Sequence, residues 1–273
     1  MKTRHTQFGS GAVATKFAIW ACAVFLGATA CYPPLAQANI RAPELIWQAP
    51  SSALSKAANL EVLGETLQFD CGEESCAVKA IYSVRADRPM DLGFEFILPV
   101  QTAVNALVAG RDAITSVTQS GSWMPGQRQL WEERRGKILP LYRASFRGSL
   151  STGTNTIEVS YVQPLGHIEA EHGYFTASRW IAFFEYDLQP LKEWSLAKDF
   201  ALNLSVSIPH RPSGQGLWSY IFSKSRSIEC SIPGATVSEQ NDKIVYTAQR
   251  GSEFPDQLNC YLGEHDLLVR YSN

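Results

Sequence analysis

GYFTASRWIAFFEYDLQPLKEW, residues 173–194, is the stretch whose reading decides the fold. It holds Tyr174, Phe175, Trp180, Phe183, Phe184, Tyr186 and Trp194, the densest aromatic run in the chain. Ala182, Phe184, Tyr186 and Leu188 alternate with Phe183, Glu185 and Asp187, which is the two-residue period of a strand. One face is apolar throughout, and the other turns acidic towards its end. Such a strand belongs inside a sheet with a second layer over its apolar side.

The same period recurs in both directions. Downstream, Phe200, Leu202, Leu204, Val206 and Ile208 alternate with small polar residues; Trp218, Tyr220 and Phe222 share a face; Val237 and Ile244–Tyr246 flank an EQND turn. Leu267, Val269 and Tyr271 close the chain in the same rhythm. A helical turn is expected at Lys192 to Lys198, after Pro190.

Upstream, residues 166–173 (GHIEAEHG) read as a polar loop, and Ile157, Val159 and Tyr161 as a strand ended by Pro164. Gly148 to Gly153 is a turn. Val104 to Thr118 gives two short strands about Ala109–Asp112, and Leu92 to Leu98 a strand stopped by Pro99. Leu67, Phe69 and Cys71, the turn CGEESC, and Val78 to Val84 make a β-hairpin. No amphipathic helix of normal length appears.

The fold class expected is therefore all-β, with two consecutive antiparallel β-sandwiches of Ig-like size or one large composite sandwich. The rhythm breaks after Leu165. Residues 60–165 are expected to form the N-terminal sandwich, and 166–273 a C-terminal sandwich or the second half of the same one. Residues 39–59 are an extended lead-in with a short helical turn around Ser52 to Ala58.

Residues 1–38 read as a secretory signal peptide. Lys2, Arg4 and Lys16 precede the apolar run Phe17 to Ala30, and Ala36-Gln37-Ala38 supplies a small-x-small cleavage pattern. The apolar run is short for a membrane span and is followed at once by Pro33 and Pro34. Cleavage before Cys31 would instead leave a lipid anchor, but Ala28 stands where a lipoprotein signal usually has Leu. The expected product is exported, periplasmic or secreted, with no transmembrane span.

At 45% hydrophobic and 18% charged, the 273 residues have ample material for a core. Without the signal the chain keeps 21 basic and 26 acidic residues, a net charge of −5. That balance, with no basic block, argues against nucleic acid as a partner. Cys71, Cys76, Cys230 and Cys260 remain, and an even number in an oxidising compartment reads as disulfides. Local spacing favours Cys71–Cys76 and Cys230–Cys260. On the chain-entropy view these closures stabilise by about 2 and about 4 kcal/mol.

Catalytic and metal chemistry find little footing. His167, Glu169, Glu171 and His172 bring imidazoles and carboxylates together, and His167, Glu169 and His172 are the candidate metal ligands. They lack the spacing of a metalloprotease helix. Ser195 and Lys198 match Ser-x-x-Lys, but neither SDN nor KTG accompanies them. Glu185 and Asp187 share a strand face without an opposing wall for a glycosidase cleft. No cofactor motif is present: no P-loop, no G-x-G-x-x-G and no G-x-S-x-G.

The function expected is that of a non-enzymatic extracytoplasmic protein, a partner-binding or structural component of the envelope or surface. A glycan or small-ligand binding module is the alternative, and a secreted hydrolase the third reading. The segment Gln119 to Lys137 is long for a connection and is the expected contact site for a protein or glycan partner. A short helix there would set Arg128, Trp131 and Arg135 on one side, with Trp123 just before it.

Overall fold

The computed structural model describes residues 44–45, 60–98, 100–123, 139–172, 179–210 and 225–272. The first strands are β1 (Glu44–Leu45), β2 (Leu60–Cys71), β3 (Ser75–Ala86), β4 (Met90–Leu98), β5 (Asn105–Val108) and β6 (Arg111–Ala113). Then come β7 (Ser116–Trp123), β8 (Leu139–Leu150), β9 (Gly153–Pro164), β10 (Gly166–Glu171) and β11 (Arg179–Asp187). A helical turn α1 (Gln189–Lys192) leads to β12 (Ser195–Pro209). The last elements are β13 (Arg226–Cys230), β14 (Thr236–Gln240), β15 (Lys243–Arg250), β16 (Gln257–Glu264) and the helix α2 (His265–Ser272). Among these described residues no helix is long and apolar enough to cross a membrane. The fold is all-β.

Three sheets result. The largest has the order β14-β15-β12-β2-β3-β9-β5-β6, and two four-stranded sheets run β1-β4-β8-β7 and β10-β11-β16-β13. The large sheet takes strands from both sides of the expected boundary at Leu165, because β12 pairs with β2. That pair is parallel, whereas every other pairing is antiparallel; the sheet is mixed rather than purely antiparallel. Two hairpin turns need left-handed backbone and use residues that tolerate it: Ala109-Gly110 at φ 50° and 73°, and Asn241-Asp242 at 51° and 61°.

The inner face of the large sheet is apolar at alternate positions, as the period requires. Leu67 and Phe69 on β2, Val78, Ala80 and Tyr82 on β3, and Leu202, Leu204 and Val206 on β12 are all buried. Both small sheets meet it through aromatic rings. Phe96 of β4 lies edge-on to Tyr161 of β9 at 5.4 Å. Phe184 of β11 stacks on Phe69 of β2 at 4.5 Å, and Tyr186 meets the same ring edge-on at 5.5 Å. So β11 does sit between β10 and β16 with a covered apolar face, as its sequence demanded. The Val108 side chain of β5 also packs onto the backbone of Gly148 of β8, where a Cβ would fall 2.5 Å from it.

Both disulfides are present, and each joins a cross-strand pair: Cys71 opposite Cys76, and Cys230 opposite Cys260.

Four local expectations are corrected. Residues 166–171 are strand β10 rather than loop, because Ile168 packs inward opposite Ile181. The helical turn lies at Gln189–Lys192, before the expected span, with Pro190 in its first turn; Ser195 to Lys198 already belong to β12. The chain closes in helix α2, which buries Leu267 and Leu268 against Ile181, and not in a strand. Finally, β7 continues through Trp123 by a bulge between Gln119 and Gly121, so the interruption starts later than Gln119.

Candidate functional site: a groove on the large sheet

The outward face of the large sheet is the complement of its core. Where inward positions are Leu, Val and Phe, outward ones on β2, β12 and β15 are Thr66, Gln68, Asn203, Ser205, Ser207, Thr247 and Gln249. Register lines them up across strands. Thr66, Asn203 and Gln249 form one row, and Gln68, Ser205, Thr247 and Thr236 a second. Neighbouring strands are about 4.8 Å apart, so each row is a ladder of hydroxyl and amide groups at that spacing.

A groove of about 450 Å³ lies over part of these rows, lined by Thr66, Asn203, Ser205, Thr236, Thr247 and Gln249 together with Leu204, Gly234 and Ala248. The Thr236 and Thr247 hydroxyls bond each other at 2.8 Å. Beyond the groove Lys243 holds both oxygens of Asp70, at 2.6 and 2.8 Å, and the Ser207 hydroxyl donates to the same carboxylate at 2.8 Å. Burial acts to raise the Asp70 pKa, but Lys243 and Ser207 outweigh it and hold the carboxyl below its ordinary value. The Thr, Ser, Asn and Gln side chains of the groove are neutral hydrogen-bonding groups, able to recognise a polar uncharged ligand by donor and acceptor placement, beside the uncharged Leu204, Gly234 and Ala248.

The residues singled out from sequence fall elsewhere. Trp123 ends β7, opposite Leu139; its side chain and Arg128, Trp131 and Arg135 lie outside the described residues. The His167, Glu169 and His172 set is split, His167 turning to another partner. His167 Nε2 donates to the Glu73 carbonyl at 3.0 Å, whereas His172 Nδ1 pairs with Glu169 at 2.9 Å. Glu171 is taken by Arg179, which also binds Glu264 and Asp266 and so ties β10, β11, β16 and α2 together. Burial works against the Arg179 charge, and the carboxylates of Asp266, Glu264 and Glu171 overcome it. Among the described residues no group of three potential metal ligands converges.

Ser195 and Lys198 lie on a strand, with no helix start to activate the serine. Glu185 and Asp187 have structural partners: Gln257 donates to Glu185 at 3.3 Å, and the Gln189 N–H to Asp187 at 2.8 Å. The groove residues had only one sequence signal, the alternation of Asn203, Ser205 and Ser207 with a core face. Nothing in the sequence placed Thr66 beside Asn203, because that neighbour comes from a parallel pairing across more than a hundred residues.

No protein-family model matches the chain, and no curated protein matches it significantly. Solved structures give partial likenesses. A candidate nutrient-binding protein of Legionella pneumophila is 12% identical with a TM-score of 0.49, covering 78% of this chain and 70% of that one. An M1 zinc metallopeptidase of Deinococcus radiodurans is 13% identical with a TM-score of 0.39, covering 75% of this chain. Yeast LTA4 hydrolase is 10% identical with a TM-score of 0.43, covering 80% of this chain. The chain spans 42% of the peptidase and 31% of the hydrolase. At these scores the likenesses say nothing about activity.

Proposed function

We propose that this chain is a non-enzymatic extracytoplasmic binding protein of the cell envelope or surface, and that its ligand is a neutral glycan lying along the groove. The observation that carries this reading is the double ladder of Thr, Ser, Asn and Gln side chains over β2, β12, β15 and β14. A polyhydroxylated ligand offers donors and acceptors in the same alternation, and hydrogen bonds to neutral groups suit an uncharged one. The two disulfides suit an oxidising compartment, in keeping with export on residues 1–38. Cleavage after Ala38, rather than lipidation at Cys31, belongs to the same proposal.

Calorimetric titration with a panel of neutral oligosaccharides tests it. Replacing Asn203 and Gln249 together by Ala removes two exposed amides from one row. At about 1 kcal/mol for each hydrogen bond lost, affinity should fall by roughly tenfold or more while stability stays put. Unchanged affinity in that double variant contradicts the groove as the site.

A second reading has its own observation. β14 is an edge strand of the large sheet, and all five of its residues are exposed, with Val237 among them. An extended segment of a protein partner could add to that edge. The Trp123, Arg128, Trp131 and Arg135 set belongs to this partner-binding reading, and Trp131→Ala is its test: partner binding is lost with an unchanged Tm, whereas a Tm drop of several degrees assigns the ring to the core.

A further inference from the structure

Glu65 is the one carboxylate that the described fold buries completely, at 1% exposure. A break in register between Val62 and Gly64 puts it there. Before the break Leu60 and Val62 point inward; after it Glu65, Leu67 and Phe69 do. The backbone at the break is packed hard against β12, since a Cβ on Gly64 would fall 2.9 Å from the Ala201 carbonyl oxygen.

Glu65 lies directly opposite Tyr82 of β3 and pairs on its other side with the apolar Leu202 of β12. Tyr186 of β11 comes down on the same spot from the facing sheet, and Tyr161 of β9 also acts on it. The Tyr161 hydroxyl donates to Gln163 at 3.1 Å. The Tyr82 hydroxyl is within hydrogen-bonding reach of both Glu65 and the Tyr186 hydroxyl, although neither contact has ideal geometry. Next to them, Trp194 stacks on Tyr82 and Phe69 on Phe184. These rings are the seam between the large sheet and β10-β11-β16-β13.

We propose that Glu65, with Tyr82 and Tyr186, forms a proton-held lock on this seam: the sheets close on the neutral acid, and loss of its proton favours an opened seam that admits water. The physical basis is the cost of an ionised carboxylate among tyrosine rings and aliphatic side chains. Burial pushes Glu65 up to about 8, with Tyr82 acting in the opposite direction. In an opened, hydrated seam it would titrate as an ordinary carboxylic acid. The proton released passes to solvent. Between the two values the opened form gains about tenfold per pH unit, and above about 8 the gain levels off.

Hydrogen exchange followed by mass spectrometry reads this directly, on peptides covering β2 and β11 of the full chain. Rates are corrected for the intrinsic pH dependence of exchange and expressed as protection factors. From pH 6.5 to 7.5 the factors in β2 and β11 should fall about tenfold, while those in β4 and β8 hold steady. Glu65→Gln, neutral at all pH, should abolish the fall. Asp187→Asn should keep it, because Asp187, pushed up to about 6, is already mostly ionised over that interval. Protection that is constant with pH in the unaltered protein overturns the proposal even if Glu65→Gln does not fold. A fall that survives in Glu65→Gln, or vanishes only in Asp187→Asn, overturns it as well.

Discussion

Replacing Phe69 by Ala should separate the large sheet from the sheet of β11 more than any other single truncation. Phe69 is 1% exposed, stacks on Phe184 at 4.5 Å and meets Tyr186 edge-on at 5.5 Å. Truncating a buried Phe costs about 3–5 kcal/mol, the upper half of which applies where surrounding strands cannot collapse into the hole. Here they cannot easily do so: Phe69 sits mid-ladder, paired with Val78 on one side and Val206 on the other. For a chain of this size each kcal/mol is worth about 2–4 °C, so a Tm drop of roughly 10 °C or more is expected. The Phe69→Ala, Phe184→Ala cycle should show a coupling of about 0.5–1.5 kcal/mol, the value of a stacked aromatic pair beyond its burial. Urea unfolding of the four proteins measures both quantities. A cost below about 1 kcal/mol, or strictly additive single effects, would refute the packing of these two sheets through this ring pair.

Other consequences can be checked on the same footing. Losing Cys230–Cys260, which closes 30 residues, should cost about 4 kcal/mol against about 2 for Cys71–Cys76, which closes 5; paired Cys→Ser variants in urea measure the order. Gly148→Ala sets a Cβ into the Val108 side chain and should cost about 1–3 kcal/mol, although alanine is otherwise tolerated in strands. Asp187 is pushed up to about 6 by burial, which the Gln189 N–H only partly offsets and Asp256 and Glu193 reinforce. Its folded-state pKa is the higher one, so its contribution is fully present below the unfolded value of about 3.8 and is lost as pH rises through about 6. Asp187→Asn keeps the acceptor for Gln189 and should be more stable than the unaltered chain at pH 7, with equal or lower stability at pH 3.5; the reverse order contradicts the assignment.

What could be read from sequence followed the reach of the two-residue period. Long alternations with a clean core face, such as Phe200–Ile208 and Leu67–Cys71, are strands where expected, because burial on one side alone settles them, and β11 is a strand up to Asp187 although Ile181 and Phe183 bury its other face as well. Short segments were not decidable that way. Leu267, Val269 and Tyr271 satisfy a strand period over only three residues, yet Leu267 and Leu268 are the pair that packs, from a helix opened by Asp266. Strand β16 hides its core positions Leu258, Cys260 and Leu262 among Gln257, Asn259 and Gly263, and Cys260 drew attention only as a disulfide partner. The bulge at Leu63-Gly64 was invisible because it shifts the phase that the reading relies on, and with it went the inward Glu65. The groove was illegible for a different reason: its rows are formed across strands, and the parallel β2–β12 pairing has no local signature.

The claim that the groove is the binding surface is tested most directly by nuclear magnetic resonance of the isotope-labelled protein titrated with neutral oligosaccharides. The account predicts saturable shifts centred on the side-chain amides of Asn203 and Gln249 and the backbone of Ser205 and Thr247, with the core-facing Leu67 and Val206 methyls little moved. Saturable shifts centred elsewhere, or none with any member of the panel, would contradict it.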